Sequence, residues 1–185
     1  MGSAVSRIQR KIIDWVNDRN WGLSLAVTLN LKQSRIVYDD RGRSFYIPLT
    51  DEQINKTVRH FINLINRSMY GNNWRRFNQR IDVFSVREKS NRHHLHLRIK
   101  IPSPTPTSLS DLKQQSQITQ KLMKSIRYCW KGMDWGYGSN RLSLSDNGWT
   151  EYQMKKRSKF NLTDSIICDG TYLPSETSQN SVSFV

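Results

Sequence analysis

Cysteine, acidic residues and long apolar runs are all scarce in this 185-residue chain. The two cysteines, Cys129 and Cys168, are far apart and form no CxxC pair. A thiolate zinc site and a disulfide framework therefore have no support. No apolar run approaches the ~20 residues that cross a bilayer. The first residues lack the apolar stretch of a secretory signal, so an intracellular, cytoplasmic protein is expected. Asp plus Glu number 15 against 29 Lys plus Arg, a net charge of +14. Residues 161–185 hold Asp164, Asp169 and Glu176 and no base, which leaves +17 on residues 1–160. A field of that sign attracts polyanions, nucleic acid first and an anionic membrane surface second. For the membrane there is little more: "MGSAVS" matches a myristoylation pattern through Gly2 and Ser6, with Arg7, Arg10 and Lys11 behind it.

Hydrophobic residues make up 36% of the chain and aromatics 10%, enough for the core of one domain. Residues 7–18 place Ile8, Ile12, Trp15 and Val16 at helical spacing. "WGLSLAVTLNLKQ" then alternates as a strand, with Leu23, Leu25, Val27 and Leu29 on one face and Ser24, Ala26, Thr28 and Asn30 on the other. "RIVYDDRGRSFYIPL" reads as a hairpin around Asp-Asp-Arg-Gly. Thr50 and Gln53 form a capping box for a helix that Gly71 ends. "QRIDVFSVREK" and "HHLHLRIKIP" read as two strands joined by a turn at Ser90–Asn91–Arg92. A loop at "SPTPTSLS" precedes a helix over 111–131, with Leu122, Ile126 and Trp130 on its buried side. "SNRLSLSD" is a further strand, with Leu142 and Leu144 inward, and a last helix starts at a Thr150–Gln153 capping box. The element order predicts an α+β fold: a central antiparallel sheet with helices on one face and the other face open to a ligand. The expected organisation is an N-terminal helix over 1–20, one domain over 21–165, and a polar, disordered tail over 166–185.

Two constellations suggest chemistry. Alternation puts His94, His96 and Arg98 on the open face and Leu95, Leu97, Ile99 and Ile101 on the core face. Two imidazoles at i and i+2 sit close enough to share one ion, and Glu88 on the preceding strand can supply an oxygen. The competing reading is that both histidines simply face water, with Glu88 a solvated partner of Arg87, Lys89 or Arg92. His93 has core parity and no evident role. The phase of the Glu88 strand is ambiguous, because Ile81/Val83 and Phe84/Val86 suggest opposite inward faces, and a bulge near Ser85 would reconcile them. In "NGWTEYQMKKRSKF", Tyr152 and Lys155 are helical neighbours, with Lys156 and Lys159 nearby. A tyrosine beside lysines and opposite a metal-bound phosphate can act as a nucleophile. The plain alternative is a packed tyrosine in a solvated basic helix.

In this order, "AVTLN" (26–30), "HLH" (94–96) and "YQMK" (152–155) resemble the motifs of the HUH endonucleases, the superfamily of rolling-circle replication initiators, conjugative relaxases and single-tyrosine transposases. The resemblance spans roughly residues 20–160. It implies a ferredoxin- or RRM-like nuclease core that nicks and rejoins single-stranded DNA, with an origin hairpin as a possible target. It also implies a Mg or Mn ion held by Glu88, His94 and His96, with Tyr152 as nucleophile and Lys155 positioning the phosphate. The product implied is a 5′-phosphotyrosine and a free 3′-hydroxyl. No helicase region is read downstream of the motifs, as it would be in many viral initiators, and a single tyrosine motif argues against a two-tyrosine mechanism. Phosphate-contact candidates are Arg75, Arg76, Arg80, Arg92, Arg98, Lys121, Lys124 and Arg127. Tyr70, Trp74, Trp135 and Tyr137 are candidates for stacking on unpaired bases, while Trp15 and Trp130 are expected in the core. A transposase or relaxase is the nearest rival reading. A non-catalytic single-stranded nucleic-acid binder is the rival from another class.

Overall fold

The computed structural model describes residues 7–89, 92–102, 107–146, 148–155 and 165–174. Gly2 and Ser6, the Ser90–Asn91 part of the expected turn, residues 103–106, Lys156, Lys159 and residues 175–185 lie outside the described residues. The elements are α1 (Arg7–Asn17), β1 (Ser24–Leu31), β2 (Ser34–Tyr38), β3 (Ser44–Pro48), α2 (Asp51–Tyr70), α3 (Asn73–Arg76), β4 (Val83–Lys89), β5 (His93–Lys100), α4 (Leu109–Lys131), β6 (Gly136–Leu144) and α5 (Trp149–Gln153). β4, β5, β1 and β6 form one sheet in that order, with antiparallel neighbours throughout, and β2–β3 is a separate ribbon. Leaving out the ribbon and the short helices, the chain runs β1–α2–β4–β5–α4–β6, the ferredoxin-like arrangement of two split βαβ units. No helix among the described residues is long and apolar enough to cross a membrane.

The α+β class and the antiparallel sheet are as the element order predicts. One face of the sheet, carrying Leu25, Val27, Leu29, Leu95, Leu97 and Ile99, packs against α2 and α4 in the main core. Phe61 and Trp130 meet edge to face there, with centroids 5.2 Å apart. The second face is not wholly open. Phe84 and Val86 of β4 pack with Ile13 and Val16 of α1, Trp21 and Met154 in a smaller core. This explains the ambiguous phase of β4. Its pairing with β5 runs without a register shift from Val83 to Lys89, so no bulge sits at Ser85. Both faces of its Val83–Val86 stretch are buried, and periodicity alone cannot show which apolar set faces which helix. The irregularity lies elsewhere, between Leu29 and Leu31 where β1 meets β6.

Helix α1 and residues 165–174 both pack onto this sheet. On α1 the buried stripe is Gln9, Ile13 and Val16, rotated from the expected one, and Trp15 is half exposed beneath the Arg19 guanidinium. The expected polar tail begins too early. Ile166 and Tyr172 bridge to Val86 and Val83, and Ile167 is buried, so residues 165–174 cover the outer edge of β4. The Thr50–Gln53 capping box is present, and a second one at Ser108–Asp111 starts α4. The one expected at Thr150–Gln153 is absent: α5 starts after Gly148 with no side-chain cap. Leu144 is exposed rather than inward.

Gly170 seats the C-terminal segment against α2, where an added Cβ would stand 2.3 Å from Val58 Cγ1. Val58 is fully buried and β-branched, so its side chain has little freedom to yield. Gly170→Ala is expected to cost about 1–3 kcal/mol, the usual penalty of overpacking, read as a lower urea midpoint. Unchanged stability would mean that this segment does not dock.

Candidate functional site

β1 and β5 pair so that Thr28 lies opposite His96 and Asn30 opposite His94, and β4 adds Glu88 opposite His94. Strand parity turns all five side chains to the face that α2 and α4 leave uncovered. With Ser139, Asn140 and Arg141 of β6 and Tyr152 of α5 they line an open cleft of about 430 Å³.

Hydrogen bonds orient the imidazoles. The Asn30 amide nitrogen donates to the Ser139 carbonyl at 2.7 Å, which fixes the amide's orientation and turns Oδ1 to His94 Nδ1, 2.5 Å away. An amide oxygen only accepts, so Nδ1 is the donor in this pair, and in the neutral ring that leaves the lone pair on His94 Nε2. His96 Nε2 contacts the Glu88 carboxylate, and its Nδ1 lies 3.1 Å from the Thr28 hydroxyl. A hydroxyl both donates and accepts, so Thr28 can serve either tautomer of His96. Glu88 and His96 thus meet, whereas His94 turns toward Asn30. Among the described residues no three His, Cys, Asp or Glu side chains are gathered closely enough to enclose an ion. The donor set itself suits a divalent cation: one carboxylate, two imidazoles, and partners behind the rings that set their orientation.

Tyr152 reaches this group from α5. Its ring stands nearly perpendicular to that of His96, 5.4 Å between centroids, and stacks on Trp149 at 5.1 Å and 14°. The tyrosine is 41% exposed toward the cleft. Lys155 lies just past the end of α5 rather than inside a longer helix, and its ammonium sits 4.0 Å over the Tyr152 ring. Three side-chain tethers fasten α5 to β5. Gln153 donates to the His96 carbonyl at 2.9 Å, Trp149 Nε1 to the Leu97 carbonyl at 3.1 Å, and the Arg98 guanidinium to Thr150 Oγ1 at 3.0 Å.

That role removes Arg98 from the phosphate-contact candidates. It is 7% exposed, also donates to Asn17 and Ser24, and lies 4.8 Å over the Trp21 ring. Burial pulls its pKa below the usual arginine value. Lys121, Lys124 and Arg127 are exposed, but α4 packs on the opposite face of the sheet from the cleft. Arg75 and Arg76 lie over Trp74 and Phe77 near the Val83 end of β4, roughly 17 Å of strand from Glu88 at ~3.3 Å per residue. Arg92 is exposed beside the start of β5, at the cleft end. Trp74 and Trp135 are buried and cannot stack on bases, while Tyr137 is exposed. Tyr70 is half-buried, and burial together with Asp82 raises its hydroxyl pKa.

Sequence reasoning missed Arg141 and Trp149. Only the β1–β6 pairing, which sets Arg141 opposite Thr28, shows the arginine at the cleft. Trp149 immediately precedes the predicted helix and carried no motif of its own. His93 has a place as well: its ring is buried on the α2 side and its backbone N–H donates to Gln33 Oε1 at 3.0 Å. Burial and the nearby Lys89 and Arg87 charges hold that imidazole's pKa below its usual value.

No protein-family model, no curated protein and no solved structure matches this chain. Thr150→Val keeps the shape of the side chain and removes the hydroxyl that accepts from Arg98. Leaving a buried guanidinium N–H unpaired should cost about 1–3 kcal/mol in a chemical melt. An unchanged melt would show that this tether does not hold α5.

Proposed function

We propose that this chain is a metal-dependent endonuclease that nicks and rejoins single-stranded DNA through Tyr152, in the manner of the HUH superfamily it resembles. Replication initiation is the role that the motif order favours; transposases and relaxases use the same chemistry. The observation that carries the reading is that Tyr152 lies against His96 in the one cleft that also holds Glu88 and His94. Three motifs distant in sequence thereby meet around a space large enough for a phosphodiester.

The Tyr152 oxygen would attack phosphorus, forming a phosphotyrosine bond as the bond to the 3′ oxygen breaks. The phenolic proton passes to solvent and the leaving oxygen takes one up. Bond energy is retained in the phosphotyrosine, so the reverse attack by a 3′-hydroxyl reseals the strand without another energy source. A divalent cation held by Glu88, His94 and His96 would supply Lewis-acid polarisation of the phosphate. Lys155, beside the Tyr152 ring, and Arg141 across the cleft offset the charge that develops on the phosphoryl oxygens. Trp149 and His96 confine the phenol ring and reduce the orientations that must be lost before attack.

Incubation with end-labelled single-stranded DNA and Mn is expected to give a covalent protein–DNA band that Tyr152→Phe abolishes while oligonucleotide affinity stays within about threefold. His96→Ala or EDTA should reduce the band to background; cleavage that persists in EDTA would remove the metal from the mechanism. Binding without an adduct under any divalent cation would favour the non-catalytic binder.

A further inference from the structure

The β2–β3 ribbon leaves the sheet at the end where the cleft lies. β1 passes Asn30, a cleft residue, and β2 begins at Ser34. The base of the ribbon is fixed beside the histidine strand: Gln33 accepts from the His93 N–H at 3.0 Å, and the Leu49 N–H donates to the Gln33 carbonyl at 2.9 Å. Ile47 and Leu49 anchor it to the main core. Beyond that base the ribbon has two strands and, among the described residues, no third to cover it.

One face of the ribbon sets Ile36 opposite Tyr46, with Tyr38 two residues further along β2. Tyr38 is 71% exposed and Tyr46 72%. A ribbon this short is marginal in water, and neighbouring aromatic rings left in solvent mark an interaction surface. Its charge narrows the occupant. Residues 32–48 hold Lys32, Arg35, Arg41 and Arg43 against Asp39 and Asp40, a net basic balance that persists although Arg43 pairs with Asp39 at 2.7 Å and Arg35 with Asp134 at 2.8 Å. Burial is not what lowers the Asp39 pKa; hydrogen bonds from Arg43 and Arg41 do that. A second copy of a chain with a net charge of +14 would meet repulsion here, whereas a polyanion meets attraction. Tyrosine suits such a partner, because its ring stacks on a base while its hydroxyl stays hydrated.

We propose that the β2–β3 ribbon is a substrate arm that binds the unpaired nucleotides flanking the strand segment in the cleft, by stacking bases on Tyr38 and Tyr46. This rests on reading the cleft as a single-stranded DNA site. The arm lengthens the footprint beyond the phosphodiester itself and orients the strand before it reaches Tyr152. Stacking is sequence-tolerant, so the arm contributes affinity rather than sequence choice.

Fluorescence anisotropy with a labelled oligothymidylate tests this on the full chain. Tyr38→Ser with Tyr46→Ser should weaken binding at least about thirtyfold, the lower end of what two stacked bases supply. The slope of log K against log salt should not change, since no phosphate contact is removed. Tyr38→Phe with Tyr46→Phe keeps both rings and should bind like the parent, which separates lost stacking from lost folding. Parent-like binding by the serine pair would overturn the arm and leave the cleft reading standing. A parent chain that binds no oligothymidylate would sink the cleft reading and the arm with it. A parent dimer in sedimentation that the serine pair dissolves would assign the ribbon to a second copy and overturn the proposal.

Discussion

The candidate site depends on how a five-residue helix is held. α5 is far too short to persist through its own hydrogen bonds, because a helix of this length barely exceeds its unfavourable nucleus. It stays helical because Gln153, Trp149 and the Thr150–Arg98 pair attach it to consecutive residues of β5, from His96 to Arg98. The strand that presents His94 and His96 therefore also fixes Tyr152. Arg98 is expensive to bury, and its several acceptors offset that cost only while α1, β1 and α5 remain in place. One buried cation thus couples the N-terminal helix to the helix that bears the tyrosine.

The two faces of the sheet divide the labour. The α2–α4 side is almost entirely apolar and provides the rigid support. The other side is split along its length: near Phe84 and Val86 it is closed by α1 and Met154, and near Glu88 and His94 it is open. A cleft bounded on one side by packed structure holds its side chains in few rotamers, which is what a preorganised site requires. The residues behind the imidazoles, Asn30 and Thr28, come from the central strand β1, so the orientation of both rings is tied to the best-buried part of the fold.

Among the described residues the basic side chains are spread widely rather than gathered at the cleft. Lys121, Lys124 and Arg127 face away from it, Arg98 is internal, and Arg75 and Arg76 stand near the far end of β4. Among the described residues, Arg141, Lys155 and Arg92 stand at or beside it. A charge distribution of this kind attracts polyanions from any direction, and under the proposed function a few local cations and exposed rings would decide where one settles.

Much of the fold was legible from residue order. Alternation identified β1 and β5, the Thr50–Gln53 box and Gly71 bounded α2, and parity alone separated His94 and His96 from His93. These features were readable because each is decided within a few residues by side-chain direction or by a backbone hydrogen-bond demand. The phase of β4, the docking of residues 165–174 and the burial of Arg98 and Trp74 were not. Each depends on what lies across the sheet or against an edge, and local periodicity carries no information about that neighbour. The sequence by itself determined the residue types, the faces of β1 and β5 and the order of the three motifs. Only the tertiary structure decided that Glu88, His94, His96 and Tyr152 share a cleft, because strand register and the tethers of α5 are long-range choices made by packing.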